Sequence, residues 1–442
     1  MPTRRLAVVA AVVALGVVAA PRPALALAVA NLALLMVALA DWMCALRPQR
    51  LTITRFLPRA VVLGAEIEVG WTVTNPSGRR LRVELADDLA PSLATRTRRA
   101  RLSVPKRRSA QAATNANPTR RGRFDSRGIT VRVHGPLGLA ARQAFVALPG
   151  TIRVYPPFRS RAEAELRVRR AQLLAIGLRS VRGAGGGTDF DSLREYSPDD
   201  DFRRIDWSAT ARSSHTIVRT YRAERNQTVV VLLDTGRTMA GQVIAPAGPG
   251  RPEVAAPRLD HALDAVMALT AVGTRLGDRV GLVAFDDYVR AVVAAAPGSA
   301  QLARVTEALY RLEPRLVESD YRGAFLTALG RFRRRCLLVI VSDLVAEAVA
   351  ETLLPALPLV LRRHLVMVVG VTDPEVLAWA RAVPTDATGA YRKAAAVSGL
   401  DSRSRTVARL RALGADVVDA EPQHLAMALA DAYIDIKMRG RL

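Results

Sequence analysis

The sequence predicts a mixed α/β protein whose carboxyl-terminal half is a mostly parallel sheet with helices on both faces. Apolar strand patterns alternate with helical patterns through this half, and the run L-L-V-I-V at Leu337–Val341 is apolar on every residue. Strands of parallel sheets are buried on both faces and have this continuous apolar character. Ahead of this half, alternating apolar and polar residues predict a small β-sandwich, and two apolar segments predict an N-terminal transmembrane hairpin.

The hairpin is predicted over residues 1–46. Leu6 to Ala20 is apolar, and Ala24 to Ala40 is apolar except for Asn31, with Pro21-Arg22-Pro23 between the two runs. Each run is a little shorter than the roughly 20 residues that span a bilayer. Arginines on both flanks predict that both ends, and the bulk of the chain, are cytoplasmic. The alternative is a cleaved signal peptide with Ala24-Leu25-Ala26 at its cleavage site, which would export the remainder of the chain.

The net charge of +24, from 64 basic and 40 acidic residues, favours contact with anionic membrane lipid on the cytoplasmic side. It also raises a second possibility, a basic nucleic-acid binder at the membrane. The most basic stretch, Arg96 to Arg127, contains one aromatic residue, Phe124. Because single-strand binders interleave aromatic residues with basic ones, no nucleic acid is expected as a partner.

Residues 51–157 are predicted to form an immunoglobulin-like β-sandwich that acts as a spacer. Two runs with period-two alternation, Glu66–Thr74 and Leu81–Leu85, stand on either side of N-P-S-G and predict a β-hairpin. Further strands are predicted at 128–133, 141–148 and 151–155. The basic stretch between these runs is predicted to be a loop.

Residues 158–226 form a block dense in charge. Its glycines lack a following G-K-[ST], which argues against a phosphate-binding loop. Acidic and basic residues occur there in nearly equal number, which favours an ion-pair network or an interaction surface with Tyr196 and Trp207 as apolar pins. The alternative is a metal-dependent hydrolase that uses the acidic residues of the block.

The sequence G-G-G-T-D-F-D-S-L-R-E-Y-S-P-D-D-D-F-R-R-I-D-W, with the later R-T-Y-R-A-E-R, resembles the signature of the family catalogued as domain of unknown function 58. It departs from the family's pattern at Asp199, where the family has glycine. The signature positions are Phe190, Arg194, Glu195, Tyr196, Asp200, Arg203, Asp206, Trp207, Arg212, Arg219 and Glu224. The resemblance implies a membrane-anchored layout, a von Willebrand A-like (Rossmann-like) domain over residues 227–442, and a MoxR-type AAA+ ATPase as partner.

The order of elements in residues 227–442 follows from the apolar patterns. Strands are predicted at 228–233, 279–285, 337–341, 365–369 and 415–418, and helices at 259–276, 301–312, 321–332, 346–361 and 424–438. The proline-rich and glycine-rich segment from Ala245 to Pro257 is predicted to be a disordered loop.

A degenerate metal site is predicted at the carboxyl edge of this sheet, where ligands bind in open α/β sheets. Asp234 and Asp343 each end a predicted strand. The von Willebrand A metal site resembles the loop from Asp234 to Thr238, with Gly236 in place of one hydroxyl ligand and Ser319 standing for the threonine of a second loop. Mg²⁺ would accept Asp234, Thr238, Ser319 and Asp343 together with water. The alternative is that Asp234 and Thr238 only cap the following turn.

Together these features predict a membrane-anchored, non-enzymatic adaptor or scaffold that works with the ATPase in protein assembly or remodelling at the membrane. The metal-dependent hydrolase and the basic nucleic-acid binder are the alternatives.

Overall fold

The computed structural model describes residues 1–17, 22–181, 189–197, 202, 205–222, 226–246, 253–345 and 348–442. The chain divides into two compact units, Met1–Tyr155 and Pro156–Leu442.

The first unit begins with two helices, α1 (Arg4–Val17) and α2 (Pro23–Cys44), which pack against each other. Among the described helices, α2 is the one long and apolar enough to cross a membrane. The 14 residues of α1 extend about 21 Å, which is less than the roughly 30 Å of a bilayer core. The described part of the predicted hairpin therefore contains one helix of spanning length.

Eight strands follow and form two sheets around one apolar core. One sheet has the order β1-β3-β6 and the other the order β2-β8-β7-β4-β5. The strands are β1 (Thr52–Phe56), β2 (Ala60–Val62), β3 (Ile67–Thr74), β4 (Leu81–Asp87), β5 (Arg99–Val104), β6 (Ser109–Ala116), β7 (Gly122–His134) and β8 (Ala141–Tyr155). The result is a two-sheet sandwich, and the immunoglobulin-like comparison remains a prediction.

Two expectations for this region are wrong. The predicted hairpin does not form, because β3 pairs with β1 and β6 whereas β4 pairs with β5 and β7. Asn75 holds the connection as an arch between the sheets, since its amide donates to Arg79 O and Pro105 O at 2.7 and 3.0 Å. The basic stretch is not a single loop either, because it contains β5, β6 and the start of β7. Exposed positions of β5 and β7 carry Arg99, Arg101, Arg123 and Arg127, and the other basic residues of the stretch lie in the connections between strands.

The ends of the two helices meet at the turn between β7 and β8. Asp41, near the end of α2, is buried and accepts the backbone N–H groups of Leu137, Leu139 and Ala140 at 2.8 to 2.9 Å. The terminal ammonium of Met1 donates to Ala141 O at 2.8 Å. Both ends of the helical pair therefore lie on the sandwich side of the described helices.

The second unit contains a six-stranded sheet of order β15-β14-β11-β16-β17-β18, in which only the edge strand β15 is antiparallel to its neighbour. A separate ribbon, β9 (Asp189–Glu195) with β10 (Ile217–Arg222), and a hairpin, β12 (Gln242–Pro246) with β13 (Glu253–Pro257), complete its strands in the described part. The sheet strands are β11 (Thr228–Asp234), β14 (Arg279–Phe285), β15 (Val289–Ala296), β16 (Leu337–Val341), β17 (Leu365–Val371) and β18 (Asp416–Ala420).

Helices cover both faces of the sheet. One apolar cluster lies between the sheet and α3, α5, α6 and α11, and the other lies between the sheet and α7, α8 and α10. The helices of this unit are α3 (Arg161–Val181), α4 (Trp207–Thr210), α5 (Arg258–Arg275), α6 (Ala300–Leu309), α7 (Tyr321–Arg331), α8 (Val349–Leu361), α9 (Pro374–Arg381), α10 (Ala387–Ala412) and α11 (Pro422–Met438). The predicted alternation of strands and helices is observed, and burial on both faces accounts for the unbroken apolar strands.

Three elements of this unit differ from expectation. The two ends of the segment predicted to be a disordered loop, residues 245–246 and 253–257, belong to β12 and β13, in which Ala245 and Ala256 are buried, and its middle, residues 247–252, lies outside the described residues. The helices α9 and α10 were not predicted, because α9 buries no residue and α10 buries only Ala396, Thr406 and Leu410.

Candidate functional site

Asp234 is the last residue of β11 and is fully buried at the carboxyl edge of the sheet. Its strand pairs with β14 on one side and with β16 on the other. The order of strands reverses at this point, and in open α/β sheets a crevice forms there, beyond the carboxyl ends of the strands.

Four donors surround the carboxylate of Asp234. Oδ1 accepts the backbone N–H of Gly236 at 2.8 Å and the hydroxyl of Ser319 at 2.5 Å. Oδ2 accepts the hydroxyls of Tyr321 and Ser342 at 2.9 and 2.6 Å. A carboxylate has about four lone-pair positions, so this arrangement uses all of them.

The hydroxyl oxygens of Tyr321 and Ser342 also lie 2.6 Å apart. Each hydroxyl carries one hydrogen, so the two groups supply two hydrogens to the three short contacts that they make with each other and with Asp234 Oδ2. Burial raises the pKa of Tyr321 well above its usual value, and the charge of Asp234 raises it further. The phenol therefore stays protonated and remains a donor to the carboxylate.

Gly236 gives Ser319 the space that it occupies. A Cβ at position 236 would overlap Ser319 Oγ and would lie 2.9 Å from Val317 O. In this chain the hydroxyl beside Asp234 thus comes from the loop before α7, and the first loop supplies only a backbone N–H at this position.

Asp343 follows β16 by two residues and pairs with two arginines rather than with Asp234. Its Oδ1 lies 2.8 Å from Arg403 of α10, and its Oδ2 lies 3.3 Å from Arg258 of α5. Arg403 also pairs with Asp419 of β18 at 2.7 Å, and Arg258 lies 3.5 Å from Asp373. Two guanidinium groups therefore connect the ends of three neighbouring strands.

These ion pairs shift the ionisation of their members. Burial favours the neutral form of Asp419, but its hydrogen bonds to Arg403 and the charge of that residue outweigh burial and lower the pKa below its usual value. Burial likewise works against the charge on Arg403, yet Asp419 and Asp343 raise its pKa above the ordinary value. The network is charged and internally compensated.

The carboxylates do not fit direct coordination of Mg²⁺. Mg²⁺ requires oxygen lone pairs in near-octahedral geometry, but those of Asp234 accept protein donors and those of Asp343 face two arginines. Thr238 differs from both, because its buried Oγ1 has no hydrogen-bond partner within the described structure. Among the residues that the structure describes, no group of three His, Cys, Asp or Glu side chains is arranged to hold a metal.

Of the four predicted metal ligands, the structure brings Asp234 and Ser319 into contact. Thr238 lies in the short helical turn after Gly236, and Asp343 belongs to the arginine network. The prediction missed Tyr321, Ser342, Arg258 and Arg403. Ser342 could have been identified, because it directly follows the buried strand β16, whereas the two arginines are distant in sequence and give no local signal.

The loop that follows β11 and the loop that precedes α7 are joined by backbone hydrogen bonds. Arg237 N donates to Val317 O at 2.9 Å, and Arg315 N donates to Thr235 O at 2.8 Å. The side chains of Arg237 and Glu318 form an exposed ion pair at 2.7 Å. Between these contacts the side chain of Leu316 is 84% exposed. We refer to Arg237, Leu316 and Glu318 as the edge surface.

The signature block is described in part. Asp206 caps α4 by accepting the N–H groups of Ser208 and Ala209, each at 3.0 Å. Arg212 donates to Ser208 O at 3.0 Å, and His215 lies 3.3 Å from Glu195. Arg194 donates to the backbone oxygen of Glu195 at 3.1 Å.

Tyr196 and Trp207 are not buried pins. Their side chains are 37% and 62% exposed, and Trp207 packs edge-on against Phe202, which is also exposed. Trp207 begins the short helix that Asp206 caps, which leaves its ring on the surface. Phe190 and Arg219 lie on β9 and β10. Asp200, Arg203 and Glu224 lie outside the described residues, as do Asp199 and Asp201 of the acidic run.

The family model described as "Protein of unknown function DUF58" matches residues 192–384. An uncharacterized protein of Mycobacterium tuberculosis is 26% identical over 192 residues, which are 43% of this chain and 56% of the relative. The uncharacterized protein YeaD of Bacillus subtilis is 28% identical over 114 residues, which are 26% of this chain and 28% of that protein. The matches thus cover just over half of the mycobacterial relative and less of YeaD.

Among solved structures, proximal thread matrix protein 1 from the mussel byssus, with a zinc-occupied MIDAS motif, aligns at 10% identity and a TM-score of 0.28 over 49% of this chain and 46% of that chain. The CARDB domain of a Pyrococcus furiosus protein aligns at 16% identity and a TM-score of 0.19 over 24% of this chain and 91% of that domain. These TM-scores do not establish a shared fold. Over residues 192–384 the chain is similar to the DUF58 family, and the two relatives described above are themselves uncharacterized.

Proposed function

We propose that the chain is a membrane-anchored, non-enzymatic adaptor whose α/β unit presents the edge surface to a MoxR-type AAA+ ATPase. In this proposal the α/β unit is von Willebrand A-like. Its strand order, with the antiparallel strand β15 at one edge and Asp234 at the point of reversal, supports that assignment. The ATPase is named on the strength of the resemblance of the signature block.

The edge surface carries the proposal. An exposed leucine between the members of an ion pair is an apolar contact with a polar rim, which is typical of protein interfaces. The two loops that carry it are joined to each other and to Asp234. Because these loops are already ordered by hydrogen bonds, they would lose little conformational entropy when a partner binds.

The polar cluster beneath this surface supports a scaffold role over a reaction centre. A general base needs a carboxylate that is free to take a proton, whereas Asp234 is saturated by donors and Asp343 is paired with two arginines. We therefore assign to the cluster the task of fixing the loops.

Membrane anchoring is proposed through α2, with the amino terminus on the same side as the sandwich and the bulk of the chain cytoplasmic. In this proposal the contacts of Met1 and Asp41 with the turn before β8 hold the helical pair to the sandwich. The positive charge of the sandwich strands would favour anionic lipid at that surface.

Affinity capture of the full chain from crosslinked membranes, followed by mass spectrometry, tests the proposal. We expect a MoxR-type AAA+ ATPase to be enriched over a control capture, in which an unrelated membrane protein carries the same tag. An eluate without any AAA+ ATPase would remove the partner from the proposal.

A further inference from the structure

A cavity lies at the amino edge of the six-stranded sheet, opposite the edge that carries Asp234. It has a volume of about 830 Å³ and is formed by the starts of β11 and β14, the end of β15 and the segment between α7 and β16. Five arginines line it, namely Arg279, Arg331, Arg333, Arg334 and Arg335. We call this cavity the arginine cleft.

The strand register explains why these residues meet. Val229 pairs with Leu337 and with Val280, so the residues just before all three strands come together at one edge. Asn226 begins this edge in the left-handed conformation, with φ of 77°, which asparagine tolerates better than most residues. The cleft is therefore positioned by the sheet, although its arginine side chains are exposed.

The charge of the cleft is not compensated within the described structure. The side chains of Arg331, Arg333 and Arg334 pair with no carboxylate in the described part of the chain, and the lining contains no acidic residue. Among the described residues, Arg279 donates to the backbone oxygen of Ala295 and Arg335 to that of Arg441. The nearby Asp278 is fully buried and is already paired with Lys437 and Tyr433.

This density of positive charge favours binding of an anion. A sphere with the volume of the cleft has a radius of about 6 Å, which is shorter than the Debye length of about 8 Å at physiological ionic strength, so screening between the guanidinium groups is incomplete. Guanidinium groups bind phosphate through paired N–H donors, and several clustered phosphates match several converging arginines. An acidic peptide spreads its carboxylates along an extended chain and gives a lower charge density.

We propose that the arginine cleft binds a ligand with clustered phosphate groups, either a soluble oligophosphate or the headgroups of anionic phospholipid. The lining supplies three small or apolar residues, Phe332, Ala294 and Ala295, and is otherwise polar. The phosphate groups would thus provide the recognition. This site is separate from the edge surface and does not depend on the proposed adaptor function.

The test uses the full chain in neutral nanodiscs and compares two variants of equal net charge. The cleft variant carries Arg331→Gln, Arg333→Gln and Arg334→Gln. The control carries Arg304→Gln, Arg405→Gln and Arg409→Gln, three exposed arginines of the same unit that lie outside the cleft. Thermal unfolding of both variants is measured first, and each should unfold within a few degrees of the parent because the substituted side chains are exposed.

Calorimetry with inorganic tripolyphosphate and flotation with phosphatidylglycerol-containing vesicles then separate the two sources. The cleft variant should bind one of these probes at least about tenfold more weakly than the parent, whereas the control should match the parent. Loss confined to tripolyphosphate identifies a soluble ligand, and loss confined to vesicles identifies lipid. Equal weakening in both variants, or no binding of either probe by the parent, would overturn the proposal.

Discussion

Ser319 Oγ donates a 2.5 Å hydrogen bond to Asp234 Oδ1 from the position that a side chain at residue 236 would occupy. The hydroxyl that a D-x-S-x-S loop would supply from its own third residue comes here from another loop. Gly236 and Ser319 are therefore coupled, and neither can be exchanged alone without loss.

We predict that Gly236→Ala and Ser319→Ala are each destabilising but not additive. The first places a Cβ against Ser319 Oγ and Val317 O, and the second removes a donor to a buried carboxylate, so each should lower the free energy of opening at β11 by about 1 to 3 kcal/mol. In the double variant the main overlap is gone, and the loss should be smaller than the sum by about 1 kcal/mol. Amide hydrogen exchange of β11 in the full chain measures the free energy of opening in the parent, the two single variants and the double variant.

Gly330 provides the control for that cycle, because a Cβ there meets no atom within 4 Å. Gly330→Ala combined with Ser319→Ala should give additive effects. Additivity in the Gly236 cycle as well would contradict the coupling.

We predict that the buried ion pairs make Arg403 difficult to replace. Arg403→Met would leave Asp343 and Asp419 without their shared cation, and breaking a buried pair on one side costs about 3 kcal/mol. Arg405 lies two residues further along α10 and is exposed, so Arg405→Met should change the unfolding midpoint little. Equal midpoints for the two variants would show that the network does not hold the strand ends together.

The sequence predicts best those elements whose apolar pattern matches their burial in the fold. The strands at Arg279–Phe285 and Leu337–Val341 have the predicted bounds, because both faces of each are buried. The helices α9 and α10 lack an apolar stripe, yet both begin with an aspartate cap, Asp373 and Asp386, that could have indicated them. The connection at Asn75 was predicted to be a hairpin turn but is an arch between two sheets, because turn residues between alternating runs do not specify whether the runs share a sheet.

The site was predictable only where a residue follows a buried strand. Asp234 and Asp343 were found by that rule, whereas their partners come from α5, α7 and α10 and depend on tertiary packing. The role of Gly236 depends on a side chain more than eighty residues away, so the sequence indicates the missing hydroxyl but not its replacement.

Mg²⁺ is predicted not to bind directly to Asp234. Calorimetric titration of the full chain with millimolar MgCl₂ should give no saturable heat, because the carboxylate lone pairs are used by protein donors. Saturable heat in the parent that disappears in Asp234→Asn would contradict this, and Thr238→Val would then show whether the unpartnered hydroxyl takes part.

The stability of α5 should depend on pH through His261. Burial, with the charge of Arg159, lowers the pKa of His261 from 6.5 to about 4. Between these values the unfolded chain binds the proton and the folded chain does not, so the free energy of unfolding should fall as pH is lowered from about 6.5 to about 4, by up to about 3 kcal/mol.

His261→Gln should remove that part of the pH dependence, as measured by hydrogen exchange of α5, while His424→Gln at an exposed position should retain it. Asp264 on the same helix acts in the opposite direction, because burial raises its pKa. Since Asp264 is present in both variants, the difference between them isolates His261. An unchanged pH dependence in His261→Gln would contradict the assignment.

The edge surface is tested most directly by quantitative crosslinking capture with two matched variants, Leu316→Asp and Val383→Asp. Both side chains are 84% exposed in the parent, so neither substitution should affect folding. The account predicts that the ratio of captured AAA+ ATPase to bait falls at least about tenfold in Leu316→Asp, as for a central interface contact, and stays at the parental value in Val383→Asp. Equal recovery of the ATPase with both variants would contradict the claim that this surface receives the partner.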